Sequence, residues 1–218
     1  VAVTEQAIVN EASSYEAFYS ALKDQVGGSC GASELCQVVF DLSEIFFGLD
    51  QGSAELSSSN IKGKNPFADK RVRQAMYQAL DMDAIKDKVM RGQSFPAGII
   101  TAPGVNGYTK AHDARLPYDP NAAKQLLADA GYPDGFEVTL DCPNDRYIND
   151  EAICVAAIGM LAKIGIDVSL DAKTKSIHFK EVKEGDADGN PSDMYMLGWG
   201  VPTYDSHYVF SFLLESSG

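Results

Sequence analysis

Cysteine thiols are the most reactive side chains in this sequence, and their spacing limits what they can do. The four cysteines are Cys30, Cys36, Cys142 and Cys154. They form no C-x-x-C pair, and the three histidines lie far from them along the chain, so the spacing of a zinc site is absent. No histidine accompanies a cysteine in a local signature of thiol catalysis. Disulfide bonds are therefore the favoured interpretation, with reduced, buried thiols as the alternative, and they indicate an oxidising compartment.

One cysteine pair has a plausible geometry in the predicted elements. Cys142 ends a predicted strand, and Cys154 lies in the second turn of the helix that follows. These positions are near neighbours in space, so a disulfide bond between them is geometrically reasonable. It would close a ring of about 13 residues and stabilise the fold by about 3 kcal/mol. Cys30 and Cys36 could close a small ring of their own in a glycine-rich loop.

Carboxylates cluster at two places where calcium is a conceivable ligand. The first cluster is Asp141, Asp145, Asp150 and Glu151. Its spacing is not that of a twelve-residue calcium loop. The second begins like such a loop at Asp186, but Pro191 replaces the expected glycine, which favours a solvated turn. Motifs of nucleophilic hydrolases, dinucleotide-binding folds and P-loops are also missing, so we predict no catalytic residue, no metal ligand and no cofactor.

The single tryptophan, Trp199, stands between two glycines at the end of a predicted strand. Glycines let a ligand approach the backbone closely, and ligands of open α/β sheets bind beyond the carboxyl ends of the strands. Trp199, Tyr204 and Asp205 could supply an aromatic surface for stacking, a hydroxyl group and a partner for a cation. We therefore predict a ligand-binding site here. A packed aromatic ring that supports a turn is the alternative.

Arg146 and Tyr147 are further candidate binding residues, because they follow closely on the end of another predicted strand. A guanidinium group in that position could hold a carboxylate of the ligand. The alternative for Arg146 is a salt bridge to Asp145 or Asp150.

Hydrophobic periodicity predicts the elements that carry these residues. Apolar runs and alternating patterns predict strands at 38–49, 136–141, 166–170 and 194–199. Apolar stripes between capping residues predict helices at 11–22, 66–82, 83–90, 119–131, 149–164, 176–183 and 206–214. The strands at 136–141 and 166–170, with the helix between them, should form a parallel unit with a right-handed crossover. Residues 93–118 form a long irregular connection, and connections of that length are often functional.

Composition excludes several classes of partner. The 31 acidic residues outnumber the 18 basic ones, which gives a formal net charge of −13 and a pI near 4.5. Nucleic acids and anionic membranes both require a basic surface, so neither is expected to bind. No apolar stretch is long enough to span a bilayer. The sequence starts without a methionine or a signal peptide, which suggests a mature chain or a piece of a longer one.

The run Asn-Pro-Phe-Ala-Asp-Lys-Arg-Val-Arg-Gln-Ala, from Asn65 to Ala75, resembles a helix of the family 5 extracellular solute-binding proteins. Similar blocks follow in the expected order at Tyr118-Asp119-Pro120, from Ala130 to Phe136, and at Trp199. Together they cover about residues 38–214 and leave residues 1–37 poorly matched.

The resemblance implies an α/β fold with a mixed sheet flanked by helices, the C-terminal lobe of a type II periplasmic-binding-protein-like fold. Residues 1–218 would then be a single lobe of a two-lobed protein, whose ligand is enclosed between the lobes. It also implies a periplasmic or otherwise extracytoplasmic component of an ABC importer that is not an enzyme. Its partners would be the importer's membrane subunits, the missing N-terminal lobe and a small-molecule ligand, which could be a peptide, an opine, a sugar or a chelated metal.

One departure from the family pattern leaves the ligand class open. In peptide-binding members, an aspartate three residues after the matching tryptophan pairs with the peptide's amino group. Pro202 stands at that position here, and the nearest acid is Asp205. The stretch from Cys142 to Cys154 is similar to a subgroup with a disulfide bond at this place. The alternatives to a transport protein are a thiol- or metal-dependent hydrolase, and a structural or interaction module without a ligand.

Overall fold

The computed structural model describes residues 44–201 and 203–213. The predicted helix at 11–22, the Cys30–Cys36 pair, the first half of the predicted strand at 38–49 and Pro202 lie outside these residues. The described residues fall into two compact units. Residues 44–100 and 110–199 form the larger, here called the sheet unit, and residues 101–109 together with those after 199 belong to the small unit.

The sheet unit is built on a mixed sheet, which in the described part of the chain has four strands. They are β1 (Glu44–Leu49), β2 (Phe136–Pro143), β3 (Ile166–Lys173) and β4 (Met194–Trp199). Their order across the sheet is β1-β4-β2-β3. Strand β2 runs parallel to β3 and β4, and β1 runs antiparallel to β4. The predicted mixed sheet and its parallel strand–helix–strand unit are both confirmed.

The helices lie close to the predicted positions. They are α1 (Lys70–Ala79), α2 (Met82–Ala84), α3 (Pro120–Asp129), α4 (Asp150–Leu161) and α5 (Lys175–Glu184) in the sheet unit, and α6 (His207–Leu213) in the small unit. A π-helical turn, Ile85–Val89, extends α2, and a 3-10 turn, Ala162–Ile164, extends α4 as far as Gly165. Within the described ranges, none of the helices has the length and apolar character needed to cross a membrane.

The predicted helix at 66–82 is interrupted twice, and carboxylate caps explain both interruptions. A 3-10 turn, Pro66–Ala68, precedes Asp69, whose side chain accepts a hydrogen bond from the Arg71 N–H and starts α1 there. The side chain of Asp81 accepts a hydrogen bond from the Ala84 N–H and starts α2. Each cap requires a non-helical backbone at the aspartate, so the continuous apolar stripe is divided between separate helices.

Two neighbouring residues of β2 show which face of the sheet each helix covers. Cys142 is joined by a disulfide bond to Cys154 of α4, whereas Asp141 pairs with Lys173, which also contacts Glu181 of α5. Successive side chains of a strand point to opposite faces, so α4 and α5 lie on opposite sides of the sheet. Two right-handed crossovers that run in opposite directions along a sheet require this arrangement.

The hydrophobic core lies on the α4 side. Alternate residues of β2 (Phe136, Val138, Leu140 and Cys142) are buried there. They belong to one buried cluster with side chains of α1, α3 and α4 and of the other strands, among them Val72, Leu127, Leu161, Ile166 and Met196. This packing fixes the positions of the carboxyl ends of β2 and β4, where the candidate binding residues of the sheet unit lie.

Candidate functional site

Strands β2 and β4 pair over a short distance and then separate. Their register joins Leu140 to Met194 and Asp141 to Tyr195, although both strands continue beyond these residues. The backbone groups of β4 past Tyr195 therefore need other partners on the side of β2, since a buried backbone polar group is costly when it is left unpaired. Side chains from α5 and from the turn before α4 supply them.

The hydroxyl of Tyr147 forms hydrogen bonds with the backbone of Gly198. Its phenolic oxygen accepts a hydrogen bond from the Gly198 N–H at 2.8 Å, and its O–H donates to the Gly198 carbonyl at 3.3 Å. The Tyr147 ring approaches so closely that a Cβ atom at position 198 would lie 2.5 Å from its Cε1 atom. Glycine at 198 is therefore required for this contact, and the contact lies one residue before Trp199.

His178 of α5 forms a hydrogen bond with the backbone of Met196, which lies two residues before Gly198 in β4. Its side chain is completely buried, and its Nε2 atom lies 2.8 Å from the Met196 carbonyl oxygen. A carbonyl only accepts, so Nε2 carries a proton and donates it to this hydrogen bond. Burial lowers the pKa of His178, against the hydrogen bond to Met196 and the nearby carboxylates of Asp141 and Glu181, which raise it.

Asp150 holds the turn that carries Arg146 and Tyr147. Its Oδ2 atom accepts hydrogen bonds from the backbone N–H groups of Arg146 at 2.9 Å and Tyr147 at 3.0 Å. Asp150 is buried at the start of α4, and the helix begins directly after Asn149, which has a left-handed backbone. The disulfide bond between Cys154 of α4 and Cys142 was predicted from the sequence and is confirmed, and it joins α4 to the end of β2.

Arg146 lies over the Tyr147 ring, with its guanidinium carbon 4.9 Å from the ring centroid. This is the geometry of a cation–π contact. Of the two carboxylates predicted as alternative partners, that of Asp150 accepts the backbone N–H groups described above, and that of Asp145 accepts the N–H of Lys175. Arg146 is half-buried.

Lys173, near the end of β3, forms salt bridges with three carboxylates. Its Nζ atom lies 3.0 Å from Asp141 and 2.9 Å from Asp171, and it also contacts Glu181 of α5. Burial alone lowers the pKa of Lys173, but the hydrogen bonds to Glu181, Asp171 and Asp141 outweigh it and raise the pKa above its ordinary value. The cluster holds α5 against the sheet, and with it His178. In the part of the chain that the structure describes, no group of His, Cys, Asp or Glu side chains is suited to hold a metal ion.

The small unit contains Tyr204 and Asp205, and Asp205 is hydrogen-bonded there to Asn106. The Asn106 side-chain amide donates to Asp205 Oδ2 at 2.9 Å, and the Asn106 N–H donates to the Tyr204 carbonyl at 2.8 Å. Asp205 Oδ1 accepts the N–H of His207 at the start of α6. This backbone hydrogen bond, followed by that from Asn106, holds the pKa of Asp205 below its usual value. Asp205 is therefore an ionised carboxylate. Tyr204 is half exposed and has a left-handed backbone, with φ of 51°.

The structure brings some of the predicted binding residues together and assigns others to separate units. Arg146 and Tyr147 lie together in the sheet unit, and Tyr147 binds the backbone of β4 one residue before Trp199, which is partly buried. Tyr204 and Asp205 belong to the small unit. Sequence reasoning missed Asp150 as an anchor, His178 as a backbone partner and Asn106 as the partner of Asp205. The length of the 93–118 connection was the one signal that pointed towards Asn106.

The comparison with known families decides the class of protein. The family described as bacterial extracellular solute-binding proteins, family 5 (middle region) matches residues 41–218. The chain belongs to this family. The protein is therefore extracytoplasmic, and the solved structures described below show that its mixed sheet is that of a type II periplasmic binding protein.

Relatives with known names are binding proteins. The glutathione-binding protein GsiB of Salmonella choleraesuis strain SC-B67 is 29% identical to the chain over 159 residues, which are 73% of the chain and 30% of GsiB. The same protein of Escherichia coli K12 is 28% identical over the same share of each chain. The family 5 chain thus spans less than a third of the length of these curated relatives.

Two solved structures agree in fold. AgaA from A. tumefaciens R10, in complex with agropinic acid, is 27% identical with a TM-score of 0.59 and covers 80% of this chain and 34% of its own. DppA from Helicobacter pylori, in complex with the peptide STSA, is 26% identical with a TM-score of 0.57 and covers 81% of this chain and 33% of its own.

Proposed function

We propose that this chain is one lobe of the solute-binding component of an ABC importer, and that the complete protein captures a peptide-like or other small polar ligand between two lobes. The family match over residues 41–218 carries this proposal. Closure of two lobes excludes water from the ligand, and the closed form is then recognised by the importer's membrane subunits.

The carboxyl end of β4 supplies the ligand-binding surface of this lobe. Trp199 offers an aromatic face at the strand end, and Arg146 offers a positive charge close to the backbone of Gly198 through its contact with Tyr147. Stacking and a guanidinium–carboxylate pair suit a small molecule that has both planar amide groups and acidic groups.

The named relatives narrow the ligand class. GsiB is a glutathione-binding protein, and the AgaA and DppA structures contain agropinic acid and a peptide. These ligands share carboxylates and amide or amine nitrogens on a small scaffold. We propose that the ligand here has the same chemistry. Sugars without a charge fit the charge of Arg146 less well.

No catalytic role is proposed for this chain. Cys142 and Cys154 share a disulfide bond, so neither is a thiolate nucleophile of the kind a thiol hydrolase needs. The family and its named relatives are binding proteins.

The Trp199→Ala variant of the full-length protein tests the proposed site. Calorimetric titration with glutathione, short peptides and opines should find a ligand for the wild type and an affinity about 30-fold lower for the variant, since a buried aromatic contact contributes about 2 kcal/mol or more. The control is Tyr118→Ala, an equally large change at an exposed position before α3. Equal affinity of wild type and Trp199→Ala would refute the site.

A further inference from the structure

The edge of β4 that faces β2 is completed by side chains instead of by a strand. Pairing with β2 ends at Tyr195, and beyond it the hydrogen-bonding groups of Met196 and Gly198 are met by His178 and by Tyr147. Met196 and Gly198 are two residues apart, so their backbone groups point to the same edge of the strand. The Tyr147 phenol thus occupies the place that a neighbouring strand would hold.

We propose that Tyr147 is a positioning residue: its hydroxyl fixes the backbone of Gly198 and thereby the orientation of Trp199 for the ligand. The O–H has one proton, and that proton is directed at the Gly198 carbonyl. Tyr147 is nine-tenths buried. The Arg146 guanidinium lies over its ring, and the ring closely approaches Gly198. Tyr147 therefore acts through Gly198, in contrast to the direct ligand contact that its position after β2 suggested.

The support behind Tyr147 is rigid, as a positioning role requires. Asp150 holds the Tyr147 N–H with a buried carboxylate, and the Cys142–Cys154 disulfide bond holds the start of α4 against β2. The hydroxyl is therefore fixed relative to the sheet core. A site whose supporting residues are locked in this way keeps its binding geometry without a ligand present.

Fluorescence of the 218-residue chain tests the positioning role without any ligand. Trp199 is the only tryptophan in this sequence, so tryptophan emission reports on its surroundings alone. Tyr147→Phe removes the hydroxyl and keeps the ring. We expect its Trp199 emission to shift to longer wavelength and its quenching by acrylamide to rise, with an unchanged far-ultraviolet circular dichroism spectrum.

The matched control is Tyr132→Phe, which removes the hydroxyl of another buried tyrosine in the same core, packed edge-on against Phe136. This control should leave Trp199 emission unchanged. Wild-type emission and quenching in Tyr147→Phe would overturn the proposal, as would an equal shift in both variants, because a general loss of packing would then be the cause. Gly198→Ala should reproduce the Tyr147→Phe shift by displacing the ring, and wild-type emission in that variant would count against the proposal.

The ligand part of the inference rests on the proposed function and is measured separately. In the full-length protein, Tyr147→Phe should lower the affinity for the wild type's ligand by roughly ten-fold, because the Gly198 backbone loses both of its hydrogen bonds to the hydroxyl. If Trp199→Ala weakens binding while Tyr147→Phe does not, the positioning role is overturned and the proposed function stands. If Trp199→Ala does not weaken binding, the proposed site fails, and the fluorescence result still decides whether Tyr147 holds Trp199.

Discussion

At the scale of single residues, His178 is the group whose protonation should affect folding most. It is buried, and its Nε2–H donates a hydrogen bond to the Met196 carbonyl. Its Nδ1 atom has no hydrogen-bond partner among the described residues. Asp141, Glu181 and Lys173 act on it from β2, α5 and β3. Charging the ring would place an unpaired N–H inside the fold, so burial lowers the pKa of His178 below its ordinary value of about 6.5.

This pKa shift predicts a loss of stability in mild acid. The unfolded chain binds a proton at His178 as the pH falls through about 6.5, whereas the folded chain does so only at lower pH, so the free energy of unfolding decreases with falling pH in that window. In urea unfolding, the free energy of unfolding of the wild type should be lower at pH 5.5 than at pH 7.5, and this one group contributes at most about 1.4 kcal/mol to the difference. The His178→Gln variant should lose most of that difference. His112→Gln, at an exposed position, should keep it, and an unchanged pH dependence in His178→Gln would contradict the assignment.

The residue types at the site were readable from the sequence, but their partners were not. Arg146 and Tyr147 were found because they follow a strand end. The destination of the Tyr147 hydroxyl, Gly198, lies 51 positions away, and Asn106 lies 99 positions from Asp205. The contact of Tyr147 depends on how β2 and β4 separate, and that of Asn106 depends on how two distant segments of the small unit meet. Periodicity gives no information on either.

At the scale of elements, caps and disulfides determine where the periodic patterns begin and end. Asp119 starts α3 as predicted, with its side chain accepting the N–H groups of Asn121 and Ala122. The caps at Asp69 and Asp81 divide a helix that the apolar stripe alone predicts as continuous. Element types were therefore predictable from side-chain periodicity, while the breaks depended on single hydrogen bonds.

The disulfide bond between β2 and α4 predicts a measurable loss of stability when it is removed. It joins residues 12 positions apart, and the Cys142→Ala/Cys154→Ala double variant should lower the free energy of unfolding by about 3 kcal/mol, because the unfolded chain regains its conformational freedom. Urea unfolding at neutral pH provides the measurement. The control, Val155→Ala on the exposed side of α4, should unfold close to the wild-type midpoint. A double variant as stable as the wild type would show that the bridge does not support α4.

At the scale of the whole molecule, the chain is an acidic, extracytoplasmic member of the family 5 solute-binding proteins. Its charge of −13 disfavours nucleic acids as partners, and the block that begins at Asn65 indicates the family from the sequence alone. The ligand was not predictable, because Pro202 replaces the aspartate by which peptide-binding members hold an amino group.

Native mass spectrometry of the full-length protein, purified from the extracytoplasmic fraction without refolding, tests the solute-binding function most directly. The proposed function predicts a protein ion that carries the additional mass of a small molecule, which is lost on denaturation and reduced in the Trp199→Ala variant. The released molecule should contain a carboxylate and an amide or amine group. A wild-type protein that shows only its bare mass, and gains none when incubated with an excess of glutathione, short peptides and opines, would contradict the function proposed here.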